Sequence, residues 1–96
     1  MTWELIVQPD ALETLGTLAA ENERKFAKVQ KTLGLMQNNL RHPGLHTHKV
    51  ENRKGPGGED VFEAYVENHT PGAYRIFWHY GPEQGSITIL AITPHP

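Results

Sequence analysis

The chain has 96 residues, no cysteine, nine Lys and Arg against eleven Asp and Glu, and a formal net charge of −2. That length supports a single domain with one core, here residues 1–96, and the missing cysteines exclude disulfides, cysteine metal sites and cysteine nucleophiles. The sequence pI near 6.3 gives no general attraction for phosphate backbones, so any nucleic-acid contact must come from a local patch.

No apolar run approaches the roughly 18 residues of a membrane helix, and Met-Thr-Trp-Glu lacks the basic and apolar regions of a signal peptide. A cytoplasmic location and no membrane partner are expected. Six histidines can add positive charge as pH falls, because free imidazole titrates at about 6.5.

Trp3 to Val7 is a short β-prone run ended by Pro9, which has no amide hydrogen to donate. Asp10 then caps a first helix, with Leu12, Leu15, Leu18 and Ala19 at helical spacings. Gly16 costs this helix about 1 kcal/mol relative to alanine, which predicts a short element. From about Asn22, the stripe Phe26, Val29, Leu33, Met36 and Leu40 predicts a longer second helix. Arg24, Lys25, Lys28 and Lys31 fall on its solvated side. His42-Pro43-Gly44 ends it, since the residue before proline is pushed out of the helical region.

Beyond that turn the period becomes alternating. Leu45 to Asn52 is a weak strand, and Lys54-Gly55-Pro56-Gly57-Gly58 is a turn leading to a strand over Asp60 to Glu67. Asn68-His69-Thr70-Pro71-Gly72 leads to Ala73–Tyr80, and Gly81–Gly85 leads to Ser86–Thr93. The expected class is α+β in the order β-α-α-β-β-β-β, a helical hairpin on one face of a mainly antiparallel, twisted sheet.

Alternation puts Tyr74, Ile76, Trp78 and Tyr80 on the core side, with Phe62, Ala64 and Val66. It leaves Glu63, Tyr65, Glu67, Arg75 and His79 on the open side, with His46, His48 and Lys49 entering from the neighbouring strand and His95 from the chain end. Such a face holds acids, bases and a fixed cation. The bland reading of Arg75 and Glu63 is a cross-strand ion pair contributing about 0.2–1 kcal/mol. Tyr65, Phe77 and Trp78 are more often packing residues than platforms for bases. A rival reading is a histidine metal site from His46 and His48, completed by His42 or His95, although no carboxylate is interleaved. Asn68-His69-Thr70 matches a glycosylation acceptor without a secretory context, and the glycines at 55–58 lack the lysine and helix of a phosphate loop.

The segments Val61-Phe62-Glu63-Ala64-Tyr65-Val66, Gly72-Ala73-Tyr74-Arg75-Ile76-Phe77-Trp78 and Ile87 to His95, in this element order, resemble the RelE/ParE superfamily of type II toxins. The resemblance spans nearly the whole chain. Many members have a Glu-Leu-Arg strand, a Tyr-Arg-Val/Ile strand and a last apolar strand ending near a histidine or tyrosine; Glu63, Tyr74-Arg75-Ile76 and His95 match.

The resemblance implies a cognate antitoxin as partner and, for RelE-like members, cleavage of messenger RNA on the ribosome without metal or other cofactor. In that chemistry the 2′-oxygen attacks the adjacent phosphate, which requires a base, a cation for the phosphorane and an acid for the leaving oxygen. Arg75 is implied as the phosphate stabiliser, with His95, His79 or Glu63 as acid or base. Lys49, His48 and Tyr65 would bind substrate.

Tyr65 stands where many members have the arginine of Glu-Leu-Arg. Pro96 follows His95 directly, so the tail that carries a catalytic tyrosine in some members is expected to be missing. The other implied readings are a ParE-like toxin that binds a protein target such as DNA gyrase, and an inactive binding scaffold. Nothing in the sequence indicates an oligomeric state.

Overall fold

Strand β1 spans Glu4–Val7, and Pro9 opens helix α1, Pro9–Glu21. Proline suits the first helical turn because its missing N–H would have no partner there. The helix runs for 13 residues, longer than Gly16 led us to expect. Gly16 lies on its exposed side, where only the propensity cost is felt. Helix α2, Glu23–Asn38, starts where the Asn22 side chain accepts the Lys25 N–H at 3.1 Å.

The computed structural model describes residues 2–95, so Pro96 lies outside them. A short 3₁₀ turn at Pro43–Leu45 follows α2, and His42 caps it by accepting the Gly44 N–H on Nδ1 at 2.9 Å. This turn takes up Leu45, which the alternation had assigned to a strand. Strands β2 His48–Lys54, β3 Asp60–Tyr65, β4 Tyr74–Tyr80 and β5 Ser86–Pro94 complete the expected element order.

The strands lie in the order β1-β5-β4-β3-β2, with β1 parallel to β5 and the other pairs antiparallel. The core stripe of α2, Val29, Leu33 and Met36, packs with Ala11 and Leu18 of α1 against Ala64, Ile76, Trp78, Ile87, Ile89 and Ile92. Leu40 lies beyond the end of α2 but stays buried. Each large apolar side chain so enclosed contributes about 1.5–3 kcal/mol relative to exposure.

In β5 one extra residue keeps the isoleucines on the core side. Trp78 pairs with Ile89 while Phe77 pairs with Ala91, so Leu90 is a bulge that reverses the alternation and returns Ile92 beside Ile76. Ala91 and Thr93 therefore share the opposite face with Phe77 and Arg75. β2 is also irregular between Lys49 and Lys54, where Asn52 takes the left-handed conformation, φ 62°. This twist lets the β2–β3 hairpin fold over the sheet. Arg53 rests 4.4 Å from the Phe77 ring centre, and a Cβ on Gly55 would stand 3.1 Å from the His79 ring.

Candidate functional site

The register decides which expected neighbours meet. Tyr65 lies opposite Arg75, and Glu63 lies opposite Phe77. The cross-strand ion pair between Arg75 and Glu63 is therefore absent. In its place the Arg75 guanidinium carbon sits 3.7 Å from the Tyr65 ring centre, a cation–π contact that favours arginine.

Arg75 is buried, 6% exposed. Its Nη1 donates to the Glu67 carbonyl at 2.7 Å and to the Tyr74 carbonyl at 3.3 Å. The enclosed Nε–H has no acceptor among the described residues, so the guanidinium keeps an unused donor. Beside it lies a depression of about 570 Å³, lined by Arg75, His69, His95 and the turn from Asn68 to Gly72. His95 comes there because its N–H donates to the Ala73 carbonyl at 2.7 Å, continuing the pairing beyond β5.

A second group occupies the sheet edge next to Tyr65. His48 lies opposite Glu63, with Nε2 at 2.9 Å from the carboxylate and Nδ1 at 2.9 Å from the His46 carbonyl. Both ring nitrogens face acceptors, which the protonated imidazolium satisfies at both ends and the neutral ring at one. The His46 ring lies 5.0 Å from Tyr65, tilted 34°, and His48 meets the same ring edge-on at 5.9 Å. Tyr65 thus contacts Arg75, His46 and His48. Because His48 is half exposed, a double-mutant cycle over His48→Ala and Glu63→Gln, read by urea unfolding, is expected to give a coupling of about 0.5 kcal/mol.

Other expected members are elsewhere. Lys49 pairs with Phe62, whose ring stacks on Trp78 at 5.0 Å, so it projects from the helix side and meets Asp60 at 3.5 Å. Alternation between His48 and Lys49 requires this, since neighbours on a strand cannot share a face. His79 does fall on the side opposite the helices, but it is 3% exposed beneath the hairpin and its Nδ1 donates to the Tyr80 carbonyl at 2.7 Å. Unlike Arg75, it is not among the residues that line the Arg75 depression. Glu67 leaves the alternation after β3 ends and turns to α2, where Lys25 and Lys28 bind it. Burial alone would raise the Glu67 pKa, but hydrogen bonds from Lys25, Lys28 and the Tyr74 N–H prevail and hold it at about 2.

Searches with the sequence find no matching family model and no matching curated protein. Solved structures do match. The archaeal RelE–RelB complex from Pyrococcus horikoshii OT3 is 16% identical with a TM-score of 0.69, covering 98% of this chain and 96% of that one. The YoeB/ParE toxin from Agrobacterium tumefaciens is 8% identical with a TM-score of 0.71, covering 97% and 99%. The YoeB dimer from Staphylococcus aureus is 16% identical with a TM-score of 0.67, covering both chains fully. The chain has the RelE/ParE-like fold.

Within this RelE/ParE-like fold, several features escaped the sequence reading. His69 entered only within a turn and a glycosylation-acceptor match, yet it lines the Arg75 depression. Tyr80 was assigned to the core but is 49% exposed. Eight of the nine Lys and Arg residues fall between residues 24 and 54, with Glu51 as the one acid there. Counting charge by segment would have found this basic stretch, which covers α2, the 3₁₀ turn and β2. Among the described residues no three His, Asp or Glu side chains are grouped to hold a metal ion, and no helix is long and apolar enough to cross a membrane.

Proposed function

We propose that this chain is the toxin of a type II toxin–antitoxin pair and cleaves messenger RNA on the ribosome, in the cytoplasm, without a metal. The observation that carries this reading is the depression lined by Arg75, His69 and His95 with no acid in its wall. Arg75 neutralises the phosphate as the 2′-oxygen attacks, and its planar donors suit the equatorial oxygens of the phosphorane. His95 takes the 2′-hydroxyl proton and gives it to the departing 5′-oxygen as the P–O5′ bond breaks, leaving a cyclic phosphate and a free 5′-hydroxyl, and the His48–Glu63 pair stands beside Tyr65. Within the basic stretch from Arg24 to Lys54, Arg24, Lys31, Arg41 and Arg53 have no ion pair among the described residues and leave positive charge for the approach to RNA.

The antitoxin as partner draws support from the similar structures, whose subjects include RelE–RelB and YoeB–YefM complexes. Expression of the wild type without an antitoxin is expected to arrest growth and cut ribosome-bound message, with His95→Ala slowing cleavage by about 100-fold. Equal cleavage by wild type and His95→Ala would remove His95 from the mechanism.

One observation favours a second, non-enzymatic reading: Arg75 already serves the Glu67 carbonyl and the Tyr65 ring. Growth arrest with intact message and capture of DNA gyrase would decide for a ParE-like binding toxin. No growth effect would leave a binding scaffold.

A further inference from the structure

Among the described residues, one arginine and two histidines without an acid line each of two depressions. Besides the Arg75 depression there is another, of about 380 Å³, where the segment joining α2 to β2 passes the end of β4. Arg41, His42, His46, Thr47 and Tyr80 line it. Its size is within the range of clefts that hold a small ligand.

Tyr80 gives this depression an aromatic wall. The ring is half exposed, yet it is held by Trp78 at 4.9 Å, Trp3 at 5.5 Å and Phe62 at 5.6 Å, the two contacts with Trp78 and Phe62 edge-on. A ring fixed on its inner side and open on its outer side loses little freedom on stacking. The polar groups complement it. No carboxylate pairs with Arg41 among the described residues. His42 accepts the Gly44 N–H on Nδ1, so its neutral ring carries the N–H on Nε2 and is a donor there. His46 is held in the left-handed conformation at φ 48°, and its ring reaches Tyr65 of the proposed cleavage face.

A flat aromatic surface beside a free guanidinium and imidazole donors fits a ligand that is both planar and anionic. We infer that this depression is a second ribonucleotide site, with the base stacked on Tyr80 and the phosphate held by Arg41 and His42. The choice of RNA as the ligand rests on the function proposed above, but binding is read separately from cleavage. An acidic peptide carrying an aromatic residue is the competing ligand.

The chain's two tryptophans, Trp3 and Trp78, both touch Tyr80, so their fluorescence reports occupancy. Titration of the full chain with adenosine 5′-monophosphate is expected to give a saturable change, and ribose 5-phosphate a much weaker one. Tyr80→Leu and Arg41→Ala should each raise the midpoint by about tenfold or more, while Tyr80→Phe, which keeps the stacking surface, should stay near wild type. Binding with these features in a chain that cuts no RNA supports this site and counts against the ribonuclease. RNA cleavage without a saturable nucleotide response overturns the site. So does a midpoint unchanged in Tyr80→Leu or Arg41→Ala, or a response confined to an acidic aromatic peptide.

Discussion

Arg75→Lys is expected to slow cleavage of ribosome-bound message by about 100- to 1,000-fold, the loss typical when a donor aimed at developing charge is removed. Charge alone is conserved in this variant; geometry is not. The guanidinium lies over the Tyr65 ring, donates Nη1 to the Glu67 carbonyl and has its Nε–H enclosed beside them. An ammonium is a compact charge with no plane to stack and no second arm, so it cannot serve the carbonyl and a phosphate in the same orientation. The measurement is a single-turnover rate on ribosome-bound message, with circular dichroism to show that the variant is folded. Loss of the Nη1 bond would itself cost about 1–3 kcal/mol of stability, so the rate is taken well below the unfolding midpoint. A rate within about threefold of wild type would mean that no planar donor stabilises the transition state.

Much of the fold was legible because its periods are strong. The Phe26-to-Leu40 stripe, the glycine-bearing turns and the β-branched run from Ile87 each specify an element on local grounds, and all are present. Register was not legible in the same way. Whether Arg75 faces Glu63 or Tyr65 depends on a shift of two residues between strands, which leaves both alternations intact. The inserted Leu90 was equally silent, since an extra apolar residue in an apolar strand changes no pattern that can be read one strand at a time.

The open face of the sheet was legible in its members more than in their relations. Arg75, Tyr65, Glu63 and His48 do share the face opposite the helices. His79 was lost to a tertiary event: the bulged hairpin folds back and Gly55 closes over it, and no local signal encodes how far a glycine-rich turn will fold. Glu67 was lost because strand alternation lapses where β3 ends, and two lysines across the molecule then set its direction. Lys25 and Lys28, read as solvated charges, are thereby structural.

Glu67 carries the largest stability effect expected of a single charged group here. Glu67→Ala should destabilise the fold by about 2–3 kcal/mol at neutral pH, the range for hydrogen bonds to a charged acceptor whose partners are left behind. Its side chain is 7% exposed and joins α2 to Tyr74, the first residue of β4. Lys25, at 18% exposure, should account for more of this than Lys28, at 46%. The pH dependence has a definite sign. The Glu67 pKa is depressed from 4.5 to about 2 in the folded chain, so the folded state binds fewer protons than the unfolded one across that window. Its contribution is fully present above 4.5 and is lost as pH falls towards 2. Urea midpoints of wild type and Glu67→Gln should therefore differ at neutral pH and converge between pH 4.5 and 2. Midpoints that stay equally far apart throughout that window would show that the carboxylate's charge is not what binds the helix to the strands. Since the Glu67 carbonyl also receives the Arg75 guanidinium, loosening this contact should slow RNA cleavage along with unfolding more easily, whereas a defect confined to stability would separate the α2 tether from the arginine it borders.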